Sequence, residues 1–105
     1  MSNVAPLSLL SAVVVLDSSL EHWSLLEPAG ELRRSCRLPV VFERLFSAPP
    51  LVHVGVVGID ASKDDNLRLS VRAESITEQG FVLSVETWLN TKIWSVDVSW
   101  LAIGS

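Results

Sequence analysis

Hydrophobic and polar residues alternate with a period of two over most of the chain after residue 38. The clearest case is residues 66–76, where every second residue from Leu67 to Ala73 is apolar and the residues between them are polar. Successive side chains of a β-strand point to opposite faces, so this pattern predicts a strand with one face in a core. The same alternation predicts strands over residues 80–90 and 93–103.

The remaining segments are shorter or less regular. Residues 38–42 indicate a short strand, and residues 51–59, which are apolar on both faces apart from His53, predict a more fully buried one. A strand is favoured over residues 12–16, although a short apolar run does not distinguish a strand from a helix. Residues 17–32 contain Pro28 and Gly30 and predict a loop, with one helical turn over residues 20–26 as the alternative. Several short strands without a sustained helix predict an all-β protein, an antiparallel β-sandwich.

The hairpin between the strands at 66–76 and 80–90 gives a prediction of register. If residues 77–79 form a three-residue turn, antiparallel pairing places Arg68 opposite Trp88, with both on the polar face of the sheet. A slip of one pair would leave the two residues as diagonal neighbours. We therefore expect Arg68 and Trp88 to share one small surface.

Composition limits what the chain can be. Its 105 residues suit a single domain, and 8 basic against 12 acidic residues give a net charge of -4, which argues against nucleic acid and anionic lipid as partners. No apolar run approaches the roughly 18 residues that a membrane-spanning segment needs, so we expect no membrane insertion. Residues 7–16 have the length of a signal-peptide core but lack preceding basic residues and a following cleavage site, which predicts no signal peptide.

Candidate chemistry is sparse. The single cysteine, Cys36, cannot form a disulfide within the chain and is expected to be an unpaired thiol, with a bridge between two chains as the alternative. No nucleophile with a base, no poised carboxylate pair and no metal-ligand pattern stands out, so we expect a protein that is not an enzyme and uses no cofactor or metal. The polar residues 60–66 predict a solvated turn rather than a calcium loop, because the loop's glycine and final glutamate are missing.

Tryptophan usage is the unusual feature of the composition. The chain has four tryptophans and no tyrosine. Alternation predicts that Trp94 and Trp100 are buried, whereas Trp88 falls on the polar side of its strand and suggests either a binding platform or a subunit contact. An indole face beside a planar guanidinium suits sugar recognition, since the ring stacks on the indole and arginine donates hydrogen bonds to hydroxyl groups.

A set of motifs spread over two thirds of the chain carries a family resemblance. They are Phe42, Pro49-Pro50, Asp60, Asn66-Leu67-Arg68, Ile76-Thr77, Gly80-Phe81, Thr87-Trp88, Asn90-Thr91-Lys92 and Val98-Ser99-Trp100-Leu101. With these motifs, residues 38–105 resemble the H-type lectin domain of snail agglutinins and of discoidin C-terminal domains. We accordingly divide the chain into an H-type lectin core at 38–105 and an N-terminal strand and loop region of the same domain at 1–37.

The resemblance implies a six-stranded antiparallel β-sandwich that assembles as a homotrimer, or as a dimer of trimers. It also implies binding of glycans that end in N-acetylgalactosamine or galactose, in a shallow site between protomers, with agglutination or cell adhesion as the outcome. Such a protein would act outside the cell or at its surface, although the sequence leaves localisation open. The alternative is a structural trimerisation module that has lost its sugar site.

The family's sugar contacts fall on five positions of this chain. The arginine falls on Arg68, the stacking tryptophan on Trp88 and the second aromatic residue on Trp94. Leu89 stands where well-known members carry a sugar-contacting histidine. Glu31 stands where the adjacent protomer of the family contributes an aspartate from an N-terminal loop.

Three charged residues on the polar phase of their strands raise a further expectation. Arg72, Glu86 and Asp97 could form a paired network that a trimer buries along its axis, with solvated surface as the alternative. Such burial would require mutual pairing, because an unpaired buried charge costs several kcal/mol.

Overall fold

The computed structural model describes residues 6–27 and 33–105, and the secondary structure in these ranges consists of strands and turns. No helix long and apolar enough to cross a membrane occurs in them. The six strands are β1 (Ser8–Asp17), β2 (Arg33–Val41), β3 (Leu51–Ala61), β4 (Ser70–Glu74), β5 (Gly80–Trp88) and β6 (Ile93–Gly104).

The strands form two three-stranded antiparallel sheets, with the orders β1-β6-β3 and β2-β5-β4. The predicted all-β antiparallel sandwich is confirmed. β5 and β6 are the central strands of their sheets, and each is flanked by two partners. Trp88 at the end of β5 is therefore bordered by β2 on one side and by the chain leading into β4 on the other.

The core lies between the sheets and is built from the inward residues of the two central strands. Leu83 and Val85 of β5 and Val96 and Val98 of β6 are fully buried. Trp100 packs against the rings of Phe42 and Phe81, with centroid distances of 5.8 and 5.5 Å. The burial that alternation predicts for Trp100 is confirmed.

The predicted register of the β4–β5 hairpin is also confirmed. Ser70 pairs with Glu86 and Glu74 pairs with Val82, and the backbone N–H of Thr77 donates to the carbonyl of Gly80 at 2.9 Å. Gly80 is required at this point, because a Cβ atom there would lie 2.1 Å from the carbonyl oxygen of Val40.

Several predicted strand boundaries were wrong. β1 spans Ser8–Asp17 and is longer than the predicted strand at residues 12–16. β4 begins at Ser70 rather than at residue 66, because the hydroxyls of Thr87 and Thr91 donate to the carbonyls of Arg68 and Asn66 where backbone ladder bonds were expected. β2 begins at Arg33, five residues before the predicted start at residue 38, so the division at 37/38 falls inside this strand.

The prediction of a more fully buried strand at residues 51–59 was wrong. β3 is an edge strand, and Leu51, His53 and Val57 are exposed on it. Its outward residues lie on the face of the β1-β6-β3 sheet turned away from the second sheet. An apolar sequence on both faces does not by itself show that both faces are covered.

The expected grouping of Arg72, Glu86 and Asp97 was also wrong. Arg72 and Glu86 lie on the outer face of the β2-β5-β4 sheet, whereas Asp97 lies on the outer face of the opposite sheet. All three residues lie on the polar side of their own strands, but β6 belongs to the β1-β6-β3 sheet, whereas β4 and β5 belong to the other sheet. The two faces point away from each other, so one axis cannot bury all three residues.

We predict that the Cys36 thiol is unreactive in the native protein. Cys36 is a buried free thiol opposite Val85 on β2, and burial raises its pKa, so the thiolate that reacts with alkylating agents is scarce at pH 7.5. Mass spectrometry should show little modification by iodoacetamide until the chain is unfolded with denaturant. Complete labelling of the native chain at the rate of the denatured chain would contradict the assigned burial.

Candidate functional site

Trp88 is the last residue of β5, and its half-buried indole lies on the outer face of the β2-β5-β4 sheet. Arg33 lies directly opposite Trp88 on β2. The Cζ atom of Arg33 is 4.6 Å from the centroid of the Trp88 ring, which is a cation–π contact. The sequence analysis missed Arg33, because the pairing of β2 with β5 joins residues 55 positions apart and leaves no local pattern.

Arg68 lies on the other side of Trp88. The β4–β5 ladder ends at Ser70 and Glu86, and before it the carbonyl of Arg68 accepts from the hydroxyl of Thr87, the residue next to Trp88. Arg68 Nη1 donates to Asn90 Oδ1 at 2.9 Å and to Thr91 Oγ1 at 3.2 Å. Arg68 is thus fixed toward the turn that follows Trp88, while the guanidinium stacked on the indole belongs to Arg33.

The turn between β5 and β6 carries backbone strain. Leu89, the residue after Trp88, has a φ of 57°, in the left-handed region that costs a non-glycine residue about 1–2 kcal/mol. Its side chain is exposed. A neighbouring group must therefore hold this conformation in place.

Arg34 is the group that holds the turn. Its side chain is only 6% exposed, and its Nη2 donates to the carbonyls of Leu89 and Thr91, both at 2.8 Å. Its Nη1 donates to the carbonyls of Leu25 at 3.2 Å and Ser24 at 3.4 Å. One buried guanidinium thus joins the 18–27 loop to the turn that carries Leu89.

Arg34 has no carboxylate among these partners. Burial lowers the pKa of its guanidinium, but an arginine stays protonated in proteins at neutral pH. The four carbonyl dipoles replace the water that the guanidinium loses on folding. No sequence pattern predicts this role, since arginines are mostly exposed in folded proteins.

Acidic side chains complete the polar surroundings of the indole. Asp65 accepts from Asn90 Nδ2 at 3.1 Å and pairs with Lys92 at 3.5 Å, so it positions the amide that holds Arg68. Glu86 pairs with Arg33 at 3.3 Å. The guanidinium groups on both sides of Trp88 are therefore oriented by fixed partners.

Trp94 lies apart from Arg33, Trp88 and Arg68, at the start of β6 in the other sheet. It is 42% exposed, so the burial predicted from alternation alone was wrong. The pairing of β3 with β6 is irregular between Asp60 and Ala61, opposite this position, and such irregularities redirect side chains. The aromatic contacts in the described part of the chain join Phe42, Phe46, Phe81 and Trp100, not Trp88 or Trp94.

Two further expectations concern Glu31 and metals. Glu31 lies outside the described residues. Among residues 6–27 and 33–105, no group of three or more His, Cys, Asp or Glu side chains is placed to hold a metal ion. What the site offers is an aromatic face with N–H donors at its edges, which is an arrangement for binding.

Comparisons with known proteins identify the family of the chain. The model of the H-type lectin domain family matches residues 37–103. A Fuscovulum blasticum protein named "ATP synthase subunits region ORF 7" is 43% identical over 76 residues, which are 72% of this chain and 66% of that protein. The chain therefore spans just under two thirds of this relative.

Solved structures show the same fold. Recombinant discoidin II of Dictyostelium discoideum superposes with a TM-score of 0.79 and 23% sequence identity, covering 99% of this chain and 39% of that one. Wild-type discoidin II also gives a TM-score of 0.79 and 23% identity, covering 98% of this chain and 38% of that one. The chain is thus similar to a part of these longer proteins.

We predict that Arg34→Met destabilises the protein by about 3 kcal/mol, because it leaves buried carbonyls of the loop and the turn without donors. Arg34→Lys should recover only part of the loss, since a single ammonium group cannot span the same four acceptors. Urea unfolding measures both. The matched control is Arg37→Met on the exposed face of the same strand, which should change stability by no more than about 0.5 kcal/mol. Equal stability of Arg34→Met and the wild type would contradict the role of Arg34 in joining the 18–27 loop to the turn.

Proposed function

The chain belongs to the H-type lectin domain family, and on this basis we propose that it is a lectin that recognises terminal galactose-type sugars without catalysing a reaction. The observation that carries the proposal is the half-buried Trp88 indole with Arg33 opposite it on β2 and Arg68 bonded to the turn that follows it. The C–H face of a pyranose stacks on such an indole, and the ring loses contact with water there.

Arg68 supplies the hydrogen bonds to the sugar in this proposal. Within the described residues its hydrogen bonds to Asn90 and Thr91 all come from Nη1. Its Nη2 and Nε remain as donors for two adjacent hydroxyl groups, which is the fork geometry that a guanidinium provides. Asn90 and Asp65 keep that fork in place before the sugar arrives, which reduces the entropy lost on binding.

Three further positions complete the proposed site. The exposed Trp94 is the second aromatic contact. Leu89 presents an apolar side chain where a polar sugar contact is common in the family, so discrimination between galactose and N-acetylgalactosamine should be weak. Glu31 of an adjacent protomer is proposed to accept hydrogen bonds from sugar hydroxyls.

A homotrimer is part of the proposal, and the surface supports it. The outer face of the β1-β6-β3 sheet exposes Leu9, Val13 and Leu51 by 61%, 61% and 73%. An apolar groove of about 480 Å³ opens between β1 and β2 and is lined mainly by inward residues such as Leu10 and Val14. On the outer face, Leu9 and Leu51 flank Ile103 in one apolar row, whereas Ser99 and Asp97 make the next part of β6 polar. An exposed apolar row of this kind is typical of a contact surface. We assign the apolar part of this face to the contact between protomers.

An assembly with several sites binds clustered glycans with higher apparent affinity than a single site binds one sugar. A shallow site would bind one sugar with a dissociation constant on the order of 1 mM, or about -4 kcal/mol. Presenting three sites to clustered glycans makes later binding events intramolecular and can raise apparent affinity by about 10² to 10⁴. Agglutination of cells, or adhesion to them, follows if the sites reach different surfaces.

We predict that Trp88→Ala abolishes binding to a galactose- and N-acetylgalactosamine-bearing glycan array, because the stacking face is lost. Its melting temperature should stay within about 4–8 °C of the wild type, a shift that corresponds to roughly 1 kcal/mol in a domain of this size. Arg72→Ala, on the same outer face but away from the indole, is the matched control and should bind as the wild type does. Unchanged binding by the Trp88→Ala, Arg68→Ala double variant would favour the structural trimerisation module.

We predict a concentration-independent trimer at micromolar concentration, about three times the 11.5 kDa of one chain, in sedimentation equilibrium. Val13→Glu should shift the protein toward monomer, because a carboxylate cannot be buried unpaired in an apolar contact. Trp88→Ala should leave the trimer intact. A monomeric wild type, or a Val13→Glu variant that stays trimeric, would contradict the assigned contact.

A further inference from the structure

The indole of Trp88 has two guanidinium neighbours, whereas a neutral sugar in the proposed site needs one. Arg33 stands on β2 and Arg68 on the chain leading into β4, on opposite sides of Trp88. Neighbouring strands are about 4.8 Å apart, so the two arginine backbones are about 10 Å apart across β5. That spacing accommodates one monosaccharide on the indole with a guanidinium at each end.

Arg33 is available to a ligand. Its side chain is 60% exposed, and only Nη1 takes part in the 3.3 Å pair with Glu86. Exposed ion pairs of this kind contribute little to stability, so a ligand that binds the guanidinium more completely can compete with Glu86. The guanidinium lies over the Trp88 ring, 4.6 Å from its centroid, so a sugar that stacks on this face displaces it toward the edge of the indole, where it can meet a carboxylate.

Basic residues outnumber acidic ones among the side chains joined to Trp88 and to the turn that follows it. Four of the chain's 8 basic residues, Arg33, Arg34, Arg68 and Lys92, take part in these contacts. The carboxylates in the same contacts are Glu86 and Asp65. This contact set therefore carries two more positive than negative charges and gives a local positive field in a chain whose net charge is -4.

Arg34 makes this field hard to neutralise. Its guanidinium is buried beneath the turn and bonded to backbone carbonyls rather than to a carboxylate. Charges in such surroundings are screened less by water and salt than exposed ones are. An anionic group placed over the turn would therefore gain from Arg34 without touching it.

We propose that the sugar recognised at this site is acidic, a galactose-configured hexuronate whose ring stacks on Trp88, whose hydroxyls bind Arg68 and whose carboxylate binds Arg33. The inference rests on the proposed lectin function and names its ligand class. A planar carboxylate matches the planar guanidinium fork with two parallel hydrogen bonds, which a neutral hydroxymethyl group cannot form. Arg33 is the specificity-determining residue in this arrangement, and Trp88 and Arg68 bind the part that acidic and neutral sugars share.

Three methyl glycosides that differ only at C6 test the inference, namely methyl galactoside, methyl galacturonide and the methyl ester of the latter. They are titrated into the wild-type chain by calorimetry at low salt. We expect the acid to bind at least tenfold more tightly than the galactoside, and the ester, which has the shape but not the charge, to bind like the galactoside. The advantage of the acid should shrink as salt is added, because an exposed guanidinium is screened.

Arg33→Gln should reduce the ratio of acid to galactoside affinity to about one. The matched control is Arg37→Gln, four residues further along the same face of β2, where the arginine pairs with Glu74 away from the indole. This control should keep the wild-type ratio. Both side chains are exposed, so neither variant is expected to unfold.

Equal affinity of the wild type for acid and galactoside overturns the acidic ligand while the lectin proposal stands. Retention of the acid preference by Arg33→Gln overturns the role of Arg33. If none of the three glycosides binds, and Trp88→Ala is indistinguishable from the wild type on a broad array, the lectin function itself fails and the inference fails with it.

Discussion

The buried guanidinium of Arg34 is the interaction on which the arrangement of the site depends. It donates to four carbonyls from two segments that are far apart in the chain, the loop at Leu25 and the turn at Leu89. A charge removed from water must be compensated, and here the backbone itself provides the compensation. The strained conformation of Leu89 is tolerated because that same bond network fixes it, and the direction of Trp88 and Asn90 follows.

The two outer faces of the sandwich have different characters. The β2-β5-β4 sheet presents arginines and glutamates around an indole, and the β1-β6-β3 sheet presents Leu9, Val13 and Leu51. Water favours the first face and disfavours the second. In the proposed assembly, the polar face binds the ligand and the apolar residues of the opposite face contact other copies of the chain.

The ligand proposal follows from the central position of β5. A residue on a central strand has cross-strand neighbours on both sides, so Trp88 stands between Arg33 and Arg68. One guanidinium suffices for hydroxyl groups, and the second gives the site a charge that a neutral sugar does not use. Together with Lys92 and the buried Arg34, it makes a positive region in an acidic chain.

Much of the fold was predictable from the sequence because alternation and hairpin register are local. The short turn at 77–79 determines the register of β4 with β5, and from that register the sequence predicts that Arg68 and Trp88 are neighbours. The stacking of Arg33 on Trp88 was not predictable, because it depends on the pairing of strands distant in the chain. The burial of Arg34 and the exposure of Trp94 and of β3 were not predictable either. A sequence pattern shows which side chains share a face of a strand. It does not show what covers that face, which is decided by the layer packed against it.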